Sequence, residues 1–288
     1  MNSCPEVRHK QGWDSLFGED GPPLQQSWSY GAAMARLGVA VTRRLAAGSP
    51  AQVLERRFGP LRLSLLSRWR SSMPGLREVA RQHPLLAVTP EGAGIPGLPL
   101  WPGREEAVLD IARHPAALRA SLHGKWRNRL RRGEGNGLTI RLCTPEVRDV
   151  RMLLSLEAQQ QSARGYRTLP PAFVFAWLAV SPADALLALA LQNGQTIAAM
   201  LFLRHGAGAT YHCGWSGEQG RATHAHNVLL WRSFLALRDS GVTRLNLGVL
   251  TPRKAEGLVR FKLGTGARPC VLGTTVLVTP VPRRGCPA

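Results

Sequence analysis

The stretch LHGKWRNRLRR at 122–132 sets Lys125, Arg127, Arg129, Arg131 and Arg132 around a single Trp126, and then gives way to the glycines of GEGNG at 133–137. Cations packed this densely serve one of two chemistries, gripping a nucleic-acid backbone or holding an anionic substrate of an enzyme. No helix-turn-helix, zinc or RNP signature surrounds the stretch, which disfavours DNA. The plainer alternative is a solvated basic face behind a packed tryptophan. GEGNG reads as a connector rather than a phosphate cradle, because no strand precedes it and no GK[ST] follows.

A second concentration of reactive side chains is ATYHCGWSGEQGRATHAHN at 209–227, which holds His212, Cys213, His224 and His226. On a regular strand His212 and Cys213 point to opposite faces, and the spacing of the four matches no common zinc pattern, so no metal is expected. His224 or His226 is placed to accept a proton or position a substrate just ahead of a helix. Tyr211 reads as core more readily than as a general acid. Lysine occurs only at Lys10, Lys125, Lys254 and Lys262, which draws attention to Lys262 in GLVRFKLGTGA at 257–267.

The chain has 288 residues, of which 44% are hydrophobic, enough for one large or two small cores. Its formal net charge is +19, from 37 Lys+Arg against 18 Asp+Glu. Such a field attracts nucleic acid, phospholipid headgroups or pyrophosphate-bearing substrates without choosing among them. The arginine excess is also what a GC-rich genome produces. Cys4, Cys143, Cys213, Cys270 and Cys286 are odd in number, scattered and without a CxxC pair, which suggests a reduced, cytoplasmic chain. The first twenty residues lack the apolar core of a secretory signal, and the longest apolar run, FVFAWLAV at 173–180, is far short of a bilayer span. The expectation is a chain neither secreted nor transmembrane.

The elements that must position these residues follow from periodicity. ALLALALQ at 185–192 and TIAAMLFLR at 196–204 alternate about an Asn193-Gly194 hairpin, and ATYHCGW at 209–215 adds a third strand. A polar loop leads to a helix in NVLLWRSFLALRDSG, which Asn227 is placed to cap and Gly241 to end, and TRLNLG returns as a strand. EVRDVRMLLSLEAQQQSARG at 146–165 reads as a preceding helix. The N-terminal half repeats the order more faintly: a helix in QSWSYGAAMARLG, three short strands at 39–68, a helix in GLREVARQ and a strand in PLLAVTP. Between the halves, Pro115 suits a helix start, and Leu118, Leu122, Trp126 and Leu130 form a slowly drifting apolar stripe, predicting one helix over about 115–132.

Three antiparallel strands, a loop, a helix and a parallel strand is the order of the GNAT acyltransferase fold, and a duplicated copy narrows the likeness. Carried by QSWSYG at 26–31, the basic stretch at 122–138, the segment at 209–231 and GLVRFKLGTGA, the chain resembles the FemABX group. These are tandem-GNAT aminoacyltransferases of peptidoglycan bridge formation, with bacterial relatives termed BioF2-like acetyltransferases. The resemblance implies an α/β (α+β) protein of two tandem GNAT-like domains with mixed, mostly antiparallel sheets. Its parts would be an N-terminal extension at 1–23, a reduced first domain at 24–112, a basic interdomain helix and connector at 113–138, a donor and catalytic domain at 139–279, and a tail at 280–288.

In such enzymes an amine attacks an activated carbonyl without a covalent enzyme intermediate. Phe261 and Lys262 match the pair found near the reacting centre, where the lysine stabilises the donor or the tetrahedral intermediate; the alternative is a surface lysine behind a core phenylalanine. The resemblance makes Lys262, Phe261 and His224 the catalytic candidates. It places Lys125, Trp126, Arg127, Asn128, Tyr30, Tyr211, Arg221 and Asn227 along the substrate groove. The implied acceptor is an anionic, nucleotide- or lipid-linked cell-envelope precursor, with peripheral contact to a membrane surface and no DNA. No tightly bound cofactor is expected; the co-substrate is aminoacyl-tRNA or acyl-CoA. RATHAH at 221–226 puts His224 and His226 where the glycines of a CoA-binding turn usually stand, which favours aminoacyl-tRNA. No long helical hairpin of the kind inserted in some Fem enzymes is present, so both donors stay open. An acetyl-CoA dependent N-acetyltransferase is the enzymatic alternative. A non-catalytic basic module for nucleic acid or membrane explains the charge but not RFKLGTG.

Overall fold

Residues 9–92, 94–164, 169–250 and 256–278 are described by a computed structural model. The first half runs α1 (Lys10–Ser15), α2 (Trp28–Arg36), β1 (Ala40–Ala46), β2 (Ser49–Phe58), β3 (Leu61–Trp69), α3 (Met73–Gln82), β4 (Leu86–Pro90), β5 (Leu98–Trp101) and β6 (Arg104–Asp110). There follow α4 (Pro115–Ser121), α5 (Gly124–Glu134), β7 (Thr139–Cys143), α6 (Val147–Arg164), α7 (Pro171–Val180), β8 (Ala185–Gln192), β9 (Gln195–His205) and β10 (Gly208–Ser216). The chain then forms α8 (Glu218–Ala222), α9 (Ala225–Asp239), β11 (Arg244–Leu250), α10 (Glu256–Leu263), β12 (Arg268–Leu272) and β13 (Thr275–Val278).

Two mixed sheets result, β1-β2-β3-β4-β13-β5 and β12-β6-β11-β10-β9-β8-β7. The sequence boundary near residue 112 is crossed in both directions. β6, written in the first half, lies in the second sheet between β12 and β11, and β13, written in the second half, pairs with β4 and β5 of the first. No strand is expected at 104–110 from the sequence, and strand periodicity carries no information about which sheet receives a segment. Nor are residues 9–23 a loose extension. Trp13 is fully buried, its indole donating to the Gln26 carbonyl at 2.7 Å, and the Pro22 carbonyl lies 2.8 Å from His205 Nδ1 on β9.

Three apolar layers hold the molecule together. α3 packs on the first sheet around Leu66, Leu76 and Leu86. α6 and α7 pack on one face of the second sheet, where Phe173 and Trp177 meet Leu24, Tyr30 and Leu54 of the first half, so this layer is the seam between the halves. The opposite face is covered by α4, α5 and α9.

The single helix expected over 115–132 is two helices, because Leu122 takes an extended conformation (φ −62°, ψ 136°) between them. Apolar residues four apart drift by about 40° per step around a helix, so one uninterrupted rod would turn Leu130 well away from Leu118. The break resets the phase, and Leu118, Leu122, Trp126 and Leu130 are all buried in the core of the second sheet. α4 and α5 therefore belong to that sheet; the interdomain layer is α2 against α7. GEGNG likewise begins as a packing surface rather than a connector. At Gly133 a Cβ would lie 2.6 Å from a Val228 methyl group of α9.

Candidate active site

β10 and β11 run parallel, but their register covers only Gly208–Thr210 against Arg244–Asn246. Beyond it β10 continues beside β9 to Ser216, while β11 continues beside β6 to Leu250. A bulge sits on each side of this split, between Tyr211 and Cys213 and between Asn246 and Gly248. Bulges end pairing and re-aim side chains, and here they do so where two strands part company.

Lys262 reaches the β11 side of the split. It is 6% exposed, and its ammonium donates to the Val249 carbonyl at 2.9 Å. Burial draws its pKa down to about 8, against the opposing pull of the Glu106 carboxylate. Glu106, on the strand contributed by the first half, accepts a hydrogen bond from the Asn246 amide at 2.6 Å, and Asn246 Oδ1 accepts from the Gly248 N–H at 2.7 Å. Gly248 has φ +82°, and a Cβ there would stand 3.5 Å from the Lys262 ammonium, so the left-handed glycine fixes the backbone beneath the lysine. Glu106 is also paired with Arg68, a buried β3 residue with φ 61°, whose second branch bonds Glu91 at 3.0 Å. Burial pushes the Glu106 carboxyl up, but Arg68, Asn246 and Arg104 together hold it below the usual carboxylate range. A chain of polar contacts thus runs from the first sheet to Lys262. None of Glu106, Asn246 or Arg68 stands out in the sequence.

Phe261 and Trp126 do come together, with ring centroids 6.0 Å apart and the indole donating to the Phe261 carbonyl at 3.1 Å. Trp126 is buried, wedged against α10. The histidine beside Phe261 is His226, at 6.2 Å, and not His224. His224 has φ 56° and precedes α9, and burial together with Arg129 and Arg132 of α5 lowers its pKa. Asn227 does not cap that helix: it lies in the first turn, 5% exposed, with its Nδ2 unpartnered among the described residues. Ser216 Oγ, at the end of β10, is also buried without a hydrogen-bond partner among the described residues.

The remaining candidates are dispersed. Tyr30 packs against Phe173 in the seam, centroids 5.3 Å apart, and burial raises its pKa. Arg221 donates to the Ser216 carbonyl at 2.7 Å, securing α8 in what was expected to be a polar loop. Arg127 donates to the Leu122 carbonyl at 2.9 Å, satisfying the end of α4. Lys125 and Asn128 stand exposed on α5. Tyr211 lies against Phe202. The β10 bulge cancels the alternation expected of His212 and Cys213: the His212 ring lies 6.0 Å from Phe173, and Cys213 is buried in the same layer. His212 is held neutral, its pKa lowered to about 4 by burial. Among the described residues no three His, Cys, Asp or Glu side chains gather as a metal site, and no helix is long and apolar enough to cross a membrane.

Several solved structures share the fold. That of FemX matches with a TM-score of 0.74 at 14% identity, covering 94% of this chain and 96% of that one. A tandem GNAT protein from the clavulanic acid biosynthesis pathway matches at 0.52 and 14% identity, covering 94% and 93%. The C-terminal domain of a putative lysylphosphatidylglycerol synthetase from Agrobacterium fabrum matches at 0.55 and 15% identity, covering 87% and 90%. No curated protein sequence matches. The family model described as an acetyltransferase (GNAT) domain matches residues 118–267, from α4 through α10 and including the split and Lys262. With that match over more than half of its length, the chain belongs to the GNAT acetyltransferase family, as an acyltransferase of FemABX-like, tandem-GNAT architecture.

Proposed function

We propose that this protein transfers an acyl group from acyl-CoA to an amine of an anionic acceptor, with the carbonyl held in the β10–β11 split. The observation that carries this reading is Lys262, an ammonium buried at that split and supported by Glu106. The attacking nitrogen adds to the thioester carbon, negative charge develops on its oxygen, and the Lys262 ammonium stabilises that charge. The C–S bond then breaks, leaving an amide, while the amine proton ends on the departing thiolate or in water. Acyl-CoA is preferred to aminoacyl-tRNA because the turn before α9 forms without glycines. His224 supplies the left-handed residue, and the start of α9, where the Asn227 and Val228 N–H groups turn back to the His224 carbonyl and Ala225 and His226 precede them, joins Arg129 and Arg132 as a setting for a pyrophosphate.

A second reading, aminoacyl transfer from tRNA to a cell-envelope precursor, is favoured by the adjacent Phe261–Lys262 pair and by the likeness to FemX. The name of the lysylphosphatidylglycerol synthetase points to a phospholipid acceptor of comparable charge. Donor competition separates the two readings. Acetyl-CoA turnover with amine acceptors, lowered roughly 100-fold by Lys262→Met, supports the first; labelled aminoacyl-tRNA consumed while CoA neither binds nor inhibits would replace it with the second.

A further inference from the structure

The β2–β3 hairpin outruns its sheet. β1 covers β2 only as far as Glu55, opposite Ala40, and β4 joins β3 only from Ser64, opposite Leu86. Residues 56–63 therefore form a two-stranded ribbon with no neighbouring strand among the described residues, and every one of them is exposed. Its pairs are Arg56 with Leu63, Arg57 with Arg62, and Phe58 with Leu61, closed by Gly59 (φ 57°) and Pro60. Cross-strand partners share a face. One face thus carries Phe58, Leu61 and Leu63, at 59%, 59% and 42% exposure, with Arg56 at its base; the other carries Arg57 and Arg62.

We propose that this ribbon docks the protein onto an anionic lipid surface, its apolar face entering the headgroup layer and its arginines contacting lipid phosphates. Three features select that occupant. Residues 56–63 contain three arginines and no acid, and the carboxylate that precedes them, Glu55, is engaged with Arg62 at 3.3 Å. Three residue pairs at about 3.4 Å rise give a projection of roughly 10 Å, the depth of an interfacial insertion. Three apolar side chains alone fall short of the roughly 800 Å² per partner that a stable protein interface buries, whereas a membrane adds the attraction of each nearby arginine. The chain's net charge of +19 acts in the same direction. This docking requires neither donor reading above.

The test is cosedimentation of the full chain with vesicles of phosphatidylcholine alone and of phosphatidylcholine mixed with phosphatidylglycerol. The charge-neutral double variant Phe58→Ser/Leu61→Ser is run in parallel. The wild type binds the mixed vesicles and not the neutral ones; the variant binds them about tenfold more weakly or worse and melts at the same temperature, since both side chains are exposed. Equal binding by variant and wild type overturns the proposal, as does a wild type that ignores anionic vesicles. It is equally overturned if the variant loses affinity for bulk tRNA instead, or if the wild type is a dimer that the variant dissociates.

Discussion

Burial draws the Lys262 ammonium down from its ordinary value of 10.5 to about 8, so at neutral pH the folded protein carries a proton that its surroundings disfavour. The unfolded chain binds more protons between those two values, and stability should therefore rise as pH climbs from about 8 to about 10.5. Below pH 8 the full penalty applies, of the order of 3 kcal/mol. Lys262→Met removes that penalty, so at pH 7 it should melt higher than the wild type while its single-turnover rate falls by roughly 100-fold. A variant both less stable and fully active would assign Lys262 to the core alone. Glu106 is the charge that holds the lysine's pKa up, facing it from β6. The catalytic form is the ammonium, so the rate should decline as pH rises through about 8. In Glu106→Gln that decline should begin at lower pH, because the raising charge is gone. An unmoved pH profile would reduce Glu106 to a partner of Arg68 and Asn246.

At the scale of elements, α5 has a buried face and an exposed basic face, and the proposed donor role of the second separates experimentally from the packing of the first. Trp126, 3% exposed against Phe261, should cost roughly 3–5 kcal/mol when replaced by Ala, seen as a lower melting temperature. Arg129→Ala/Arg132→Ala alters only exposed side chains beside His224 and should leave melting nearly unchanged. It should weaken CoA binding by about tenfold and flatten its salt dependence, as expected when charge-assisted phosphate contacts are lost. CoA affinity unchanged in calorimetry would remove α5 from the donor site. What could be read ahead of the structure divides along similar lines. The β8–β9 hairpin was legible because alternation and Asn193-Gly194 agree, and the burial of Leu118, Leu122, Trp126 and Leu130 because their spacing is helical. The break at Leu122 was not, since it depends on the angular drift that only a fixed packing partner penalises. Nor was the capping of α9. Asn227 is a good capping residue, yet His224 adopts the left-handed turn ahead of it and draws Asn227 into the first turn. Lys262 stood out through its neighbours in sequence, while Glu106 and Asn246, which position it, are linked only by topology.

The exchange of strands makes the two halves one thermodynamic object. β6 sits between β11 and β12, with six residue pairs to the former and five to the latter, so the second sheet is cut in two without it. β13 is held between β4 and β5 in return. The seam adds Tyr30 on Phe173 and a hydroxyl pair, Ser29 and Ser181, 2.8 Å apart. Arg68 crosses between the sheets to Glu106, and removing one partner of so buried a pair leaves an uncompensated charge. A fragment beginning at residue 113, where the sequence suggests a domain boundary, retains the split and Lys262 but lacks β6. Its β11 and β12 then expose unpaired edges, and Ala107 and Leu109 vanish from the core. That fragment should show no cooperative thermal transition and should aggregate. Starting instead at residue 97 restores β6 to the second sheet, and a cooperative, though lower, transition should return. Circular dichroism melting of the two fragments decides the matter: a sharp transition in the shorter one would mean that β6 is a passenger in the second sheet and that the relay to Lys262 is dispensable for folding.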